Sequence, residues 1–166
     1  IGNYAFNGCA ALTDITLPDN LQTIGSYAFN GCAALNNVNI PNSVTTIEDN
    51  AFSGCTSLSS FSFPKDLTQL GYSAFANTGL RALTLPDKIT QIPEMAFYNC
   101  DSLRSIVFSK QITQISNNAF GECDSVREVS VDNTLPEIIS IASSFANMRK
   151  ITFGASVTEI PDNLLS

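Results

Sequence analysis

The chain has 166 residues, 44% of them hydrophobic, enough to bury a core as one domain. Only 14% are charged, with 15 acids against 8 bases and a net charge of −7, a balance that argues against general nucleic-acid binding, which requires a basic face. No His is present, so the commonest general base and the commonest metal ligand are both missing.

In chain order the first element is an Ala-Phe pair, Ala5-Phe6. It recurs as Ala28-Phe29, Ala51-Phe52, Ala74-Phe75, Ala96-Phe97 and Ala119-Phe120, with Ser144-Phe145 as a degenerate seventh copy. The spacing is 23, 23, 23, 22, 23 and 25 residues. A fixed period of this length is the mark of a stacked repeat. Three residues after the Phe comes Cys9, then Cys32, Cys55, Cys100 and Cys123, with Thr78 in the fourth copy. The stretch around each pair is short and holds Ala, Phe and often Gly, so it is expected to form one helical turn rather than a full helix.

A strand follows. Leu12-x-x-Ile15-x-Leu17 returns as Leu35, Val38, Ile40; Leu58, Phe61, Phe63; Leu80, Leu83, Leu85; Leu103, Ile106, Phe108; Val126, Val129, Val131; and Met148, Ile151, Phe153. The alternation is that of a half-buried strand. Pro18, Pro41, Pro64 and Pro86 close the first four copies, since Pro gives no donor to a ladder. A second extended piece carries Leu21 and Ile24, Val44 and Ile47, Leu67 and Leu70, Ile89 and Ile92, Ile112 and Ile115, Ile138 and Ile141, Val157 and Ile160. The expected fold is a leucine-rich-repeat-type solenoid, mainly β with short helical turns and a parallel sheet on one face, of about seven repeats of ~23 residues. One unit cannot bury its apolar side chains alone; stacked units can, with the Phe column as spine.

Residues 1–166 read as a single domain. The chain opens on Ile1 rather than Met, and both ends fall inside a repeat. The expectation is a segment of a longer protein, with any export signal or anchor outside it. No apolar run is long enough to span a membrane, so direct membrane insertion of this segment is not expected. Cut ends would expose sheet edges and apolar rims, which favours end-to-end self-association.

The most complete unit reads Ala28-Phe29-Asn30-Gly31-Cys32, Leu35-Asn36-Asn37-Val38-Asn39-Ile40-Pro41, then Val44-Thr45-Thr46-Ile47. This pattern closely resembles the BspA-like leucine-rich repeats, and the likeness covers nearly the whole chain. The resemblance implies a surface or secreted protein of a host-associated bacterium or a parasitic protist, with adhesion to host matrix proteins or other cells as the expected role. The chain departs from the pattern late: Asp132–Glu137 runs about three residues longer than its counterparts, and the seventh unit is shortened around Phe145. Drift at the end of an array and a shaped binding loop both account for this.

One column stands out. The residue after the first strand Leu is Thr13, Asn36, Ser59, Arg81, Arg104, Arg127 and Arg149, and these four are all the Arg residues of the chain. On a solenoid they form a ladder about 4.8 Å apart on the strand face. Like charges so stacked repel and need counter-charges or a ligand. Asp101, Asp124 and Glu128 could neutralise them; alternatively the ladder binds an anion, for which the guanidinium fork is suited. The candidate binding residues are Arg81, Arg104, Arg127, Arg149, Asn36, Asn39, Thr84 and Lys150, on a broad polar face. The expected partner is a host or matrix protein or an anionic glycan.

The cysteines repeat at about 4.8 Å, longer than the Cβ separation of a disulfide at about 3.8 Å, and their number is odd. They are expected to be buried free thiols, not a metal set. No catalytic residues and no cofactor are expected. Asp14 and Glu128 on the strand face lie five repeats, roughly 24 Å, apart, too far for the about 5–9.5 Å of a glycosidase pair. Tyr4 and Tyr27 share a column and are expected to stack. The function expected is a non-catalytic binding scaffold; a structural spacer, or an accessory module beside a catalytic domain, are the other readings.

Overall fold

The computed structural model describes residues 1–132, Ile141 and 145–160. The Asp132–Glu137 insertion beyond its first residue, Ser144, and Ile138 lie outside those residues. The chain is a series of about six turns of parallel β-solenoid, with very short strands: β1 Asp14–Ile15, β2 Thr23–Ile24, β3 Asn37–Val38, β4 Thr46–Ile47, β5 Gln69–Leu70, β6 Ala82–Thr84, β7 Gln91–Ile92, β8 Ser105–Phe108, β9 Gln114–Ile115, β10 Glu128–Val131 and β11 Lys150–Phe153. The strand face predicted from the Leu-x-x-Ile-x-Leu pattern holds β1–β3 and the four-stranded β6–β8–β10–β11; the second extended pieces form β2–β4–β5 and β7–β9. Every pairing is parallel, one unit to the next, as in Ile106 opposite Val129 and Ile24 opposite Ile47.

The Ala-Phe stretch is not a helical turn. Its amides alternate in direction. Tyr4, Phe6 and Gly8 donate to the carbonyls of Ser26, Ala28 and Asn30 in the next unit at 2.9, 2.8 and 2.7 Å, while Asn7 and Cys9 donate within the unit to Tyr4 and Phe6. An α-helix would point all these donors along its own axis. Two left-handed columns enforce the alternation. One runs through Tyr4, Tyr27, Asn50, Ser73, Met95 and Asn118, with φ between 51° and 60°; the other, two residues after each Phe, through Gly8, Gly31, Gly54, Asn77, Asn99 and Glu122. A left-handed residue every fourth position makes a helix impossible.

The core lies inside the turns. Phe29, Phe52, Phe75 and Phe97 are fully buried. From Phe6 to Phe120 successive rings stack at 5.1–5.7 Å and within 15° of parallel, an arrangement worth about 0.5–1.5 kcal/mol per pair beyond burial. The stack ends at Phe145, which meets Phe120 edge-on at 77°.

Both sheets are interrupted, and each interruption has a cause. On the second face Gly25, Glu48, Gly71 and Ser116 donate their amides to Ile1, Ile24, Ile47 and Ile92. The matching residue in the fourth unit is Pro93, which has no N–H, and β5 and β7 do not pair. On the strand face residues 60–63 belong to no strand. This unit places Phe at both inward positions. Phe61 packs edge-on against Phe52 and Phe75 at 5.2 and 4.7 Å, and Phe63 lies 5.1 Å from Phe75. Two rings where every other unit holds at most one overfill the space, and the strand gives way.

Phe75 touches Phe52, Phe61, Phe63 and Phe97, whereas Phe6 stacks on Phe29. Phe75→Ala should therefore cost roughly 3–5 kcal/mol in denaturant unfolding, and Phe6→Ala clearly less. Glu122, exposed and left-handed at φ 57°, carries strain that Asn tolerates better. Glu122→Asn should raise unfolding stability by up to about 1 kcal/mol, read from the same denaturation curves.

Candidate ligand-binding strand face

The strand face is built by the outward positions of the first strand of each unit. Arg104 N donates to Arg81 O at 2.9 Å, Arg127 N to Arg104 O at 2.9 Å, and Arg149 N to Arg127 O at 2.7 Å. The four Arg residues are thus joined backbone to backbone in consecutive turns, and each side chain is exposed. Neighbouring strands bring them to about 4.8 Å spacing. Among the described residues none of the four guanidinium groups forms an ion pair or a side-chain hydrogen bond. Asp101, Asp124 and Glu128 leave the ladder unpaired: Glu128 stands opposite Ser105 and Lys150 in register, and Asp124 receives the Asn147 amide on its carbonyl at 2.7 Å.

Lys150 and Thr84 belong to the same four-stranded sheet as the ladder, Thr84 opposite Val107. Asn36 and Asn39, also exposed, flank β3 in the other sheet of this face. The structure therefore divides the expected set. It gathers Arg81, Thr84, Arg104, Arg127, Arg149 and Lys150, and sets Asn36 and Asn39 apart across the third unit. At the boundary lies a groove of about 660 Å³ lined by Ser59, Ser60, Phe61, Ser62, Phe63, Arg81, Ala82 and Thr84. Column-by-column reading of the sequence missed it. The signal available was the Phe61-Ser62-Phe63 pattern, which has two Phe where every other unit has at most one.

A profile of the BspA-type leucine-rich repeat region, in six copies, matches residues 1–104 and 90–166. The chain belongs to the BspA-type leucine-rich repeat family. Its backbone is similar to that of a leucine-rich repeat protein from Bacteroides ovatus ATCC 8483, with a TM-score of 0.81 and 30% identity over 95% of this chain. A leucine-rich repeat protein from Eubacterium ventriosum ATCC 27560 gives 0.68 and 24% over 90%, and the pneumococcal vaccine antigen PcpA gives 0.69 and 24% over 95%. The chain spans 41%, 45% and 38% of those three structures. No curated protein matches it.

In this BspA-type chain the Cys column faces inward. Each thiol donates to the Phe carbonyl of the preceding unit: Cys32 to Phe6, Cys55 to Phe29, Cys100 to Phe75 and Cys123 to Phe97, at 3.1–3.2 Å. Thr78, in the unit without Cys, donates instead to Phe75 within its own unit at 2.9 Å. That unit is one residue shorter, and its Gly79 sits where a Cβ would collide with the Thr56 carbonyl. Four thiols are buried as expected. Cys9 is not; it is exposed. Tyr4 and Tyr27 stack at 4.9 Å and 4°. Among the described residues no group of three His, Cys, Asp or Glu could hold a metal ion, and no helix is long and apolar enough to cross a membrane.

Burial, then the charge of Cys32, pushes the Cys55 thiol up to about 12; burial also raises Cys32. Native protein at neutral pH should give one maleimide adduct, at Cys9, and five after unfolding. A thiol whose folded pKa is raised contributes stability that is whole below its ordinary value of 9.0 and is lost as pH climbs from there toward 12. Unfolding curves should show alkaline destabilisation that Cys55→Ser, which keeps a hydroxyl donor but does not titrate in this range, diminishes.

Proposed function

We propose that this chain is a non-catalytic binding scaffold of a surface or secreted protein, and that its strand face holds an anionic partner by the ladder Arg81, Arg104, Arg127 and Arg149. The observation that carries this is the unpaired ladder. Four guanidinium groups on consecutive hydrogen-bonded turns, with no ion pair among the described residues, form a cationic strip on a chain of net charge −7. Such a strip repels itself when empty and is relieved by an anion. Lys150 extends it by one position on the same sheet, and the small polar outward residues around it leave the guanidinium groups free to reach a partner. A surface rich in Ser, Thr and Asn and poor in charge suits an extracellular setting. Solenoids commonly bind extended partners along such a face.

At low salt the intact chain should be retained on a heparin-type sulfated matrix and elute as salt rises. Arg104→Ala combined with Arg127→Ala removes two charge-assisted contacts and should weaken retention by about a hundredfold. Both side chains are exposed, so the fold should be unchanged by circular dichroism. An intact chain that passes through the matrix at low salt would refute the ladder reading and leave the spacer role standing.

A further inference from the structure

The groove at the start of the ladder differs from the rest of the strand face in three independent ways. First, its backbone is open. Arg81 N donates to Ser59 O at 3.1 Å, but among the described residues no backbone hydrogen bond reaches residues 60–63, and β6 pairs with β8 alone. Amide donors and carbonyl acceptors that other units use in the ladder therefore have no backbone partner here. Secondly, its floor is aromatic. Phe61 and Phe63 are only partly buried, as are Ile15, Leu17, Ile151 and Phe153 in the first and last units, whereas among the inner units Val38, Ile40, Leu83, Leu85, Ile106, Phe108, Val129 and Val131 in the same columns are buried. Thirdly, its rim is small. Ser60 and Ala82 stand where other units carry Asp14, Glu128 or Lys150, Ser62 lies beside them in a column of Thr, Asn, Val and Ser, and Arg81 lines the same groove.

An apolar floor ringed by hydroxyls and open backbone groups, with one cation at the edge, matches a ring that has an apolar C–H face, equatorial hydroxyls and an acid group. We propose that this groove is the end subsite of an anionic polysaccharide, holding one acidic sugar ring against Phe61 and Phe63 with its carboxylate or sulfate on Arg81. The following sugars then run along the solenoid axis past Arg104, Arg127 and Arg149. This deepens the ladder reading and rests on it.

Spacing favours a glycan over an acidic peptide. The ladder repeats at about 4.8 Å, and in an extended peptide the side chains on one face recur only every ~6.6–6.8 Å. Such a peptide falls out of step by about 2 Å at each rung. A chain of sugar acids carries one anion on every ring, without the fixed two-residue alternation of an extended peptide, and its rings stack on an aromatic floor.

The test is titration of the whole chain with tetragalacturonic acid, maltotetraose and tetraglutamate, followed by calorimetry and amide chemical shifts. The uronic tetramer should bind, shift the amides of residues 59–63 and 81–84, and exceed the other two by about tenfold or more. Ala82→Leu fills the groove from an exposed position and should weaken the uronic tetramer by about tenfold with an unaltered melting temperature; Thr84→Tyr is the second blocking variant should the first fail to fold. Tetraglutamate or maltotetraose binding as tightly as the uronic tetramer overturns the assignment. So does a folded blocking variant that binds unchanged. If the chain is retained on the sulfated matrix but ignores the tetramer, the subsite falls and the ladder stands; if it does neither, both fall.

Discussion

The fold depends on where the amides of the Ala-Phe segment send their protons. In each of the first four units three alternate donors leave the unit and reach the next one, as Tyr4, Phe6 and Gly8 do toward Ser26, Ala28 and Asn30. That fixes each unit to its neighbour on the side opposite the strand face. It also fixes the Phe rings in register, since Phe6 N meets the carbonyl of Ala28, beside Phe29. The stacked rings follow from the backbone, and the burial of the column then stabilises the geometry. The cost is strain at left-handed Tyr, Ser, Met and Glu residues, tolerated because both neighbours enforce it.

That anchorage allows the other faces to be interrupted. At Pro93 one face loses its pairing, and at residues 60–63 another does. Neither interruption coincides with a break in the Phe stack, which passes from Phe52 through Phe75 to Phe97 without losing its parallel arrangement. In a quasi-one-dimensional protein each interface adds its own stability. A turn can therefore lose one set of contacts if the others hold. The result is a stack with local openings through which the Phe column runs unbroken.

The periodic part of this was legible from the sequence. The Ala-Phe, Cys and Leu columns gave the solenoid, the buried positions and the ladder of four Arg, because burial and register repeat when residues repeat. Three features were not legible, each because it concerns backbone direction or volume instead of pattern. The helical turn failed since polarity alone does not reveal two left-handed columns, though Gly8, Gly31 and Gly54 followed by Asn77 and Asn99 hinted at one. The exposure of Cys9 depends on what packs against the thiol, which its column does not show. The groove depends on the summed volume of Phe61 and Phe63, while a column reading treats each as one more apolar residue.

The same distinction separates stability from function in this chain. The Phe, Leu and Cys columns lower the free energy of the free protein, and their residue choice needs no partner to explain it. The Arg column does the reverse. Four unpaired cations on adjacent turns repel across about 4.8 Å, and the acids at Asp101, Asp124 and Glu128 lie near enough in sequence to have paired with them yet do not. The groove beside Arg81 has the same character, since Phe61 and Phe63 disrupt hydrogen bonds that smaller residues would have kept. Sites that contradict the local rules of their own fold without an internal gain are where function is expected to reside. Here two such sites adjoin, sharing Arg81, on one face of an otherwise self-consistent stack.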